Sequence, residues 1–453
     1  MEEFDVIVIG AGSGLQVSAA ASRKGMKVAV VEEGPMGGTC LNRGCIPSKM
    51  LIHAAEIAQT VQNAAKFGID AELKGIRFAE ITKRVAATVD EEATDIEEAN
   101  KKNPNITLFK ARGKFVGEKT LEIEGKQIKG ETIVIAAGTR PVAPPIPGLD
   151  HVEYLTSDNG LRLEKLPKSM VMVGGGYIAS ELAHFFGSLG TEMTIIEMAP
   201  KLLGRSDSDI ANTFTEAFSQ RFNVLLEHKV IKVAKGGEGV IVTVQDKDGK
   251  EKTVSGETLF LAVGRRPNTD VLDLEKTGVE LTDKGYVKTN EYLETNMPGI
   301  WALGDIAGKW FFKHSANLEA EYVWRNALLG EKAPVDYSAI PHSVFTDPQI
   351  AGVGATEDEL KTAGTPYKKG VYKYRHTGMG QAMMELHGFV KALADGKGEK
   401  ILGCQILGPD ASTLIHEVAV AMKNGLTVQQ LAKTVHAHPA LSEVVQRAFL
   451  AIR

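Results

Sequence analysis

Phe4-Asp5-Val6-Ile7-Val8-Ile9-Gly10-Ala11-Gly12-Ser13-Gly14 is a short apolar run that breaks on a glycine-rich turn. An alanine-rich helical stretch follows to Lys24, and then a second apolar run, Val28-Ala29-Val30-Val31-Glu32. Continuous apolar runs of this kind predict parallel strands buried on both faces, and the helix between them supplies a right-handed crossover. The design returns at Met170-Val171-Met172-Val173, followed by Gly174-Gly175-Gly176, a helix over 177–189, and Met193-Thr194-Ile195-Ile196-Glu197. The chain therefore reads as α/β with two dinucleotide-fold units.

Outward from these units, the first closes with Thr132-Ile133-Val134-Ile135-Ala136-Ala137-Gly138-Thr139-Arg140-Pro141. A proline-dense linker, Pro144-Pro145-Ile146-Pro147-Gly148, marks a boundary. The second unit closes with Leu259-Phe260-Leu261-Ala262-Val263-Gly264-Arg265-Arg266-Pro267. Beyond about residue 335 the pattern changes to alternating strand-like stretches at 388–394 and 401–406, with helices near 411–424 and 441–451. No glycine-rich phosphate loop occurs there, so a third domain of α+β type is expected.

Composition narrows the function classes. The 453 residues are 43% hydrophobic and 24% charged, ordinary globular values that argue against disorder. A net charge of −5 gives no electrostatic case for nucleic acid or an anionic membrane as partner. Three cysteines exclude a disulfide-stapled scaffold. No apolar stretch reaches the roughly 18 residues that a membrane span needs. The start, Met1-Glu2-Glu3-Phe4, is acidic and runs straight into a strand, without the basic flank of a signal peptide. A soluble, cytoplasmic protein is expected.

A Gly-x-Gly turn between strand and helix lets backbone N–H groups and a helix N-terminus meet a pyrophosphate, and an acid some 20 residues on accepts from ribose hydroxyls. Gly10 and Gly12 fit, with Glu32 as the acid; Gly174 and Gly176 fit, with Glu197. The third glycine position holds Leu15 in the first unit, a departure that loosens helix–strand packing unless Gly14 compensates, and Ala179 in the second. One such loop is as often a plain tight turn; two complete units are a specific signal. Glu197 suits a free 2′-hydroxyl and repels a 2′-phosphate, and Met198-Ala199-Pro200 offers no arginine, so NAD is preferred over NADP.

After Glu32 comes Gly37-Gly38-Thr39-Cys40-Leu41-Asn42-Arg43-Gly44-Cys45-Ile46-Pro47-Ser48-Lys49. Two cysteines five apart at a helix N-terminus can close a small disulfide ring, and the helix end and a nearby lysine stabilise a thiolate. Buried thiols or half a metal site are the bland alternatives, although no second cysteine pair supplies further ligands. Cys404 stands alone in an apolar strand and reads as core.

This segment resembles the redox-active stretch of the flavin-dependent pyridine nucleotide–disulfide oxidoreductases, a family that includes dihydrolipoamide dehydrogenase, glutathione, mycothione and mercuric reductases. The resemblance extends over essentially the whole chain, through Ala137-Gly138-Thr139-Arg140-Pro141, Trp301-Ala302-Leu303-Gly304-Asp305 and His436-Ala437-His438-Pro439-Ala440-Leu441-Ser442-Glu443. It implies two Rossmann-like domains, for FAD and NAD, plus a C-terminal α+β dimerisation domain. The corresponding boundaries are 1–148 (FAD), 149–269 (NAD), 270–334 (a central segment completing the FAD domain) and 335–453 (interface). FAD would be held by Gly10, Gly12, Gly14, Glu32, Thr39, Lys49, Gly138, Asp305 and Ala316. NAD would be held by Gly174, Gly176, Tyr177, Ile178, Glu197 and Gly264. By the same mapping Cys45 is the thiol beside the flavin, Cys40 the outer thiol that exchanges with substrate, and Lys49 lies near flavin N5 paired with Glu181. His438, oriented by Glu443, would act as base across a homodimer interface; His436 reads as flanking support.

Substrate choice is then a comparison of endings and helices. His-Ala-His-Pro-Ala-Leu-Ser-Glu at 436–443 is closest to the dihydrolipoamide dehydrogenase ending. The uncharged Gln16-Val17-Ser18-Ala19-Ala20-Ala21-Ser22 lacks the arginine of glutathione-specific relatives, and Ala451-Ile452-Arg453 is not the cysteine pair that ends mercuric reductases. Tyr177, where lipoamide enzymes carry an aliphatic residue, and the stretches Lys313-His314-Ser315-Ala316-Asn317 and Val344-Phe345-Thr346-Asp347-Pro348-Gln349 look like mycothione reductases. The expectation is a dihydrolipoamide dehydrogenase acting on a lipoyl-bearing protein or small dithiol. The rivals are a reductase of a low-molecular-weight disulfide and a flavoprotein subunit that mainly docks lipoyl proteins.

Overall fold

A computed structural model describes residues 1–237 and 239–453. The strand Glu2–Ile9 leads into α1 (Gly14–Arg23), whose buried residues Gly14, Val17, Ser18, Ala21 and Ser22 follow the one-face spacing of an amphipathic helix. Gly25, at φ +80°, ends it. Val28–Val31 is buried throughout, as expected of an inner parallel strand. The short α2 (Gly38–Arg43) is followed at once by α3 (Cys45–Gln62) and later by α4 (Phe78–Lys102).

The first sheet has seven strands. Ile106–Phe109, Val28–Val31, Glu2–Ile9 and Lys126–Ile135 run parallel, and an antiparallel pair, Thr120–Ile123 and Gly113–Gly117, extends the edge. Ile300–Ala302 joins this sheet in parallel against Ile133–Ile135, so the chain returns to the first unit after building the second.

The second unit places Asn223–Leu225, Glu192–Ile196, Ser169–Val173 and Thr258–Leu261 in a four-stranded parallel sheet, capped by a three-stranded antiparallel sheet. Its first helix, α5 (Tyr177–Ser188), is buried nearly all round because it lies between its own sheet and α3, within one apolar cluster. Thr139–Pro141 pairs with Arg265–Pro267, tying the ends of the two units together.

The C-terminal part is a five-stranded antiparallel sheet in the order Pro341–Val344, Ile350–Gly354, Ile401–Leu407, Phe389–Asp395, Tyr367–Lys373. The helices Ala411–Lys423 and Glu443–Leu450 pack on it around Val353, Ile415, Val418, Val445 and Phe449. Cys404 is fully buried in that core, as its apolar strand implies. Where this sheet meets the second unit, buried Lys391 bonds Asp207 (2.5 Å), Asp209 (2.7 Å) and Glu357 (2.9 Å). Among the described residues no helix is long and apolar enough to cross a membrane.

Candidate active site

The two glycine loops are built alike to the level of single atoms. Gly10 has φ +102° and Gly174 φ +110°, and a Cβ would lie 2.3 Å from Ala136 O at the first and 2.4 Å from Ala262 O at the second. Both positions therefore demand glycine. Glu32 accepts the N–H groups of Ala11 (2.8 Å) and Gly34 (2.7 Å); Glu197 accepts those of Gly175 (2.5 Å) and Ala199 (2.7 Å). Each acid thus braces its loop with one bond per oxygen and keeps lone pairs for a ligand. Neither α1 nor α5 carries an acidic residue in its first turn, which leaves both N-termini open to an anion.

Gly14 settles the question raised by Leu15. A Cβ on Gly14 would sit 2.8 Å from Val8 Cγ1 and 2.9 Å from Ala136 Cβ, so Gly14 supplies the close helix–strand contact one residue early. It does not face the cleft, where Gly10 and Gly12 do.

That cleft, about 1200 Å³, runs from the first glycine loop past the cysteines to the start of α5. Its walls bring together Gly10, Gly12, Glu32, Thr39, Cys40, Cys45, Lys49, Gly138, Tyr177, Ile178, Glu181, Asp305 and Ala316. Gly174, Gly176, Glu197 and Gly264 lie beyond it, around the second loop. Gly176, the residue before α5, has open space where its side chain would be.

Cys40 lies in α2 and Cys45 is the first residue of α3. Between them Gly44 makes the break possible, because a Cβ there would approach Thr39 O to 2.8 Å. Both cysteines are free thiols. They titrate as a pair: hydrogen bonding from Cys40 lowers Cys45 to about 7 against the opposing effect of burial, and the Lys49 charge helps. Cys40, hydrogen-bonded to Cys45 and partly buried, is pushed far up. Lys49 Nζ reaches Glu181 Oε2 at 2.6 Å, and Glu181 also accepts the N–H of Phe345 at 3.0 Å. The expected Lys49–Glu181 pair is therefore present, its carboxylate buried and its ammonium open to the cleft.

Asp305 Oδ2 accepts from Thr139 Oγ1 (2.8 Å), which in turn accepts from Arg265 Nε (2.9 Å). Burial raises the Asp305 carboxyl despite these contacts. Sequence reasoning passed over several groups here. Buried Glu319 accepts the N–H of Gly304 (2.5 Å) and the hydroxyl of Tyr337 (2.7 Å), fixing the turn that presents Asp305. Lys313 Nζ donates to Ser13 Oγ (3.1 Å), which donates to Asn317 Oδ1 (2.9 Å). Ser13 lies in the glycine motif and Lys313 and Asn317 in the stretch 313–317 quoted above, whereas Glu319 and Tyr337 carried no local signal.

His438 Nδ1 lies 3.0 Å from Glu443 Oε1, the expected pair, but neither residue lines this cleft. The His438 side chain is 76% exposed. Among the described residues no cluster of three or more His, Cys, Asp or Glu side chains is arranged to hold a metal ion.

A dinucleotide fits this architecture: each loop has a backbone cradle that a side chain would fill, an open helix N-terminus and a braced acid. Residues 4–322 match the family described as pyridine nucleotide-disulphide oxidoreductase, and residues 340–449 match its dimerisation domain. A mycothione reductase of Mycobacterium tuberculosis is 36% identical over 100% of both chains. Dihydrolipoyl dehydrogenases of Chlamydia trachomatis (35%, covering 100% of this chain and 97% of that one) and Bacillus subtilis (35%, 98% and 96%) are similar too. Among solved structures, the HOCl-induced flavoprotein disulfide reductase RclA of Escherichia coli superposes with a TM-score of 0.88 at 28% identity, over 99% of this chain and 100% of that one.

Proposed function

The chain belongs to the pyridine nucleotide-disulphide oxidoreductase family, and on that premise we propose that it is a dihydrolipoamide dehydrogenase working through Cys40 and Cys45. It is a flavin-dependent disulfide oxidoreductase with FAD and NAD as cofactors, and its C-terminal domain makes it a homodimer. Bound FAD supplies the two-electron relay between the cysteine pair and NAD.

The residues divide the work as follows. Gly10, Gly12, Glu32, Thr39, Gly138, Asp305 and Ala316 hold FAD along the cleft, while Gly14 only packs α1 onto its sheet. Gly174, Gly176, Tyr177, Ile178, Glu197 and Gly264 hold NAD. Lys49, neutralised by Glu181, sets the charge beside the inner thiol Cys45. In the oxidising direction the partner's His438, oriented by Glu443, takes a proton from the incoming dithiol. The resulting thiolate attacks Cys40 Sγ, the Cys40–Cys45 bond breaks, and Cys45 leaves as a thiolate. The substrate's second sulfur then attacks its first, closing the product disulfide and releasing Cys40 with a proton. The same reading divides the chain into 1–148, 149–269, 270–334 and 335–453.

The observation that carries the chemistry is the thiol pair itself, with Cys45 lowered to about 7 by Cys40 and Lys49 on the wall of a dinucleotide cleft. The dihydrolipoamide assignment rests on the ending over 436–443 and on the uncharged stretch 16–22 within α1. A second reading, reduction of a low-molecular-weight disulfide such as mycothione, is favoured by Tyr177, 39% exposed at the mouth of the cleft, and by Lys313 inside it. Purified holoenzyme offered dihydrolipoamide with NAD⁺ is expected to form NADH. No NADH there, together with oxidation of NADH by mycothione, would replace the first reading with the second. Binding of a lipoyl domain without turnover would favour a docking role.

A further inference from the structure

The loop 434–442 carries His438 outward, and its residues alternate sharply. Val435 is 94% exposed, whereas the His436 side chain is only 7% exposed. His436 points inward to the helix Ala411–Lys423, where its Nε2 lies 2.9 Å from Glu417 Oε2. Its Nδ1 lies 2.8 Å from Thr434 O. A carbonyl oxygen only accepts, so Nδ1 carries a proton. The contact with Glu417 then needs a second proton, on Nε2 or on the carboxyl.

The pair is therefore a charge-assisted or proton-sharing bond, stronger than an ordinary hydrogen bond, placed beneath the loop. Glu417 is held there at a cost. Its Oε1 is buried with no partner among the described residues, and burial raises its carboxyl despite the bond from His436. A buried polar atom left unsatisfied costs free energy and calls for a specific explanation. Gln446, on the helix Glu443–Leu450, donates to Thr434 O (2.8 Å) and Ala432 O (3.2 Å) and closes the other side of the loop. Glu417 faces His436 and Glu443 faces His438; the charge of Glu417 also reaches buried Cys404, and Arg447 acts on Glu443.

We infer that His436 and Glu417 are positioning residues for thiol–disulfide exchange: their bond fixes the loop so that His438, two residues on, meets the partner's Cys40 at the correct height and angle. Glu443 sets the rotation of the His438 ring; the His436–Glu417 bond sets where the loop puts it. This rests on the reading of His438 as the exchange base.

The test uses holoenzyme dimers of wild type, His436→Gln, Glu417→Gln and His438→Gln. One assay follows NADH-driven reduction of an aliphatic disulfide (lipoamide, with mycothione in parallel), whose departing thiolate needs a proton, across pH. The other follows NADH-driven reduction of ferricyanide, which needs both cofactor sites but no thiol exchange. His436→Gln and Glu417→Gln are expected to lower kcat for the disulfide roughly ten- to a hundredfold, with KM held and the pH profile displaced. Ferricyanide rates and dimer size should stay at wild-type values. An unchanged disulfide rate and pH profile in both variants overturns the proposal, and so does a parallel fall in the two assays, which marks a general folding role. A wild-type disulfide rate in His438→Gln instead overturns the reading of His438 itself.

Discussion

The chemistry of this protein is concentrated in one sulfur. Cys45 begins α3, shares a proton with Cys40 and faces Lys49, and these together hold it at about 7. Lys49 favours the thiolate and Glu181 opposes it, so the two partners have opposite signs. Lys49→Met should move the midpoint for alkylation of Cys45 in the reduced protein upward in pH, and Glu181→Gln should move it downward. Peptide mass spectrometry after timed alkylation reads both, and shifts of the same sign would refute the assignment. The two thiols and Lys49 were legible in the sequence because they stand in one contiguous, chemically unusual segment, whereas the pairing of Lys49 with Glu181, 132 residues on, was implied only by the family resemblance. Glu319 was legible in neither way. A glutamate within a helix reads as a solvated side chain, and only the fold brings it against Gly304 N and Tyr337.

Elements show the same economy one level up. The first glycine loop has two jobs, admitting a ligand and packing a helix on a strand, and different glycines perform them. At Gly12 the nearest atom to an added Cβ is 3.9 Å away, whereas at Gly14 two side-chain carbons lie within 2.9 Å. Gly12→Ala should leave thermal stability close to wild type while weakening FAD retention. Gly14→Val should destabilise by roughly 1–3 kcal/mol through overpacking, visible as a lower Tm. Equal effects on both measurements at both positions would contradict this division. The loop's existence was plain from the Gly-x-Gly spacing. Its departure at Leu15 was not interpretable from sequence, since which glycine touches Val8 and Ala136 depends on how α1 is rotated over its sheet.

At the scale of the whole molecule, Lys391 joins two parts of the chain whose sequences give no hint of each other. Asp207 and Asp209 stand at the start of a helix in the second unit, and Glu357 and Lys391 belong to the C-terminal domain. Lys391→Met should cost about 3–5 kcal/mol, because it leaves buried carboxylates without their cation. Around Glu357 burial works to raise the carboxyl, but hydrogen bonds from Tyr367, Lys391 and Lys369 outweigh it and hold the group well below its ordinary range. Its contribution to stability is therefore complete above that range and is lost as pH falls through the depressed value. Denaturant melts followed by circular dichroism across pH should show that acidification costs wild type more of its own neutral-pH stability than it costs Glu357→Gln, and equal losses would refute this account. The three-part organisation was readable from the glycine loops and the change of pattern near residue 335; this junction was not, because ion clusters assembled from distant segments have no sequence period. The outward-facing His438 has a genetic consequence. If each thiol pair is served by the other copy's imidazole, two dead alleles can rescue one another. Cells making both Cys40→Ser and His438→Gln chains would assemble mixed dimers with one intact centre each, restoring up to about a quarter of normal activity under random pairing, while either allele alone restores none.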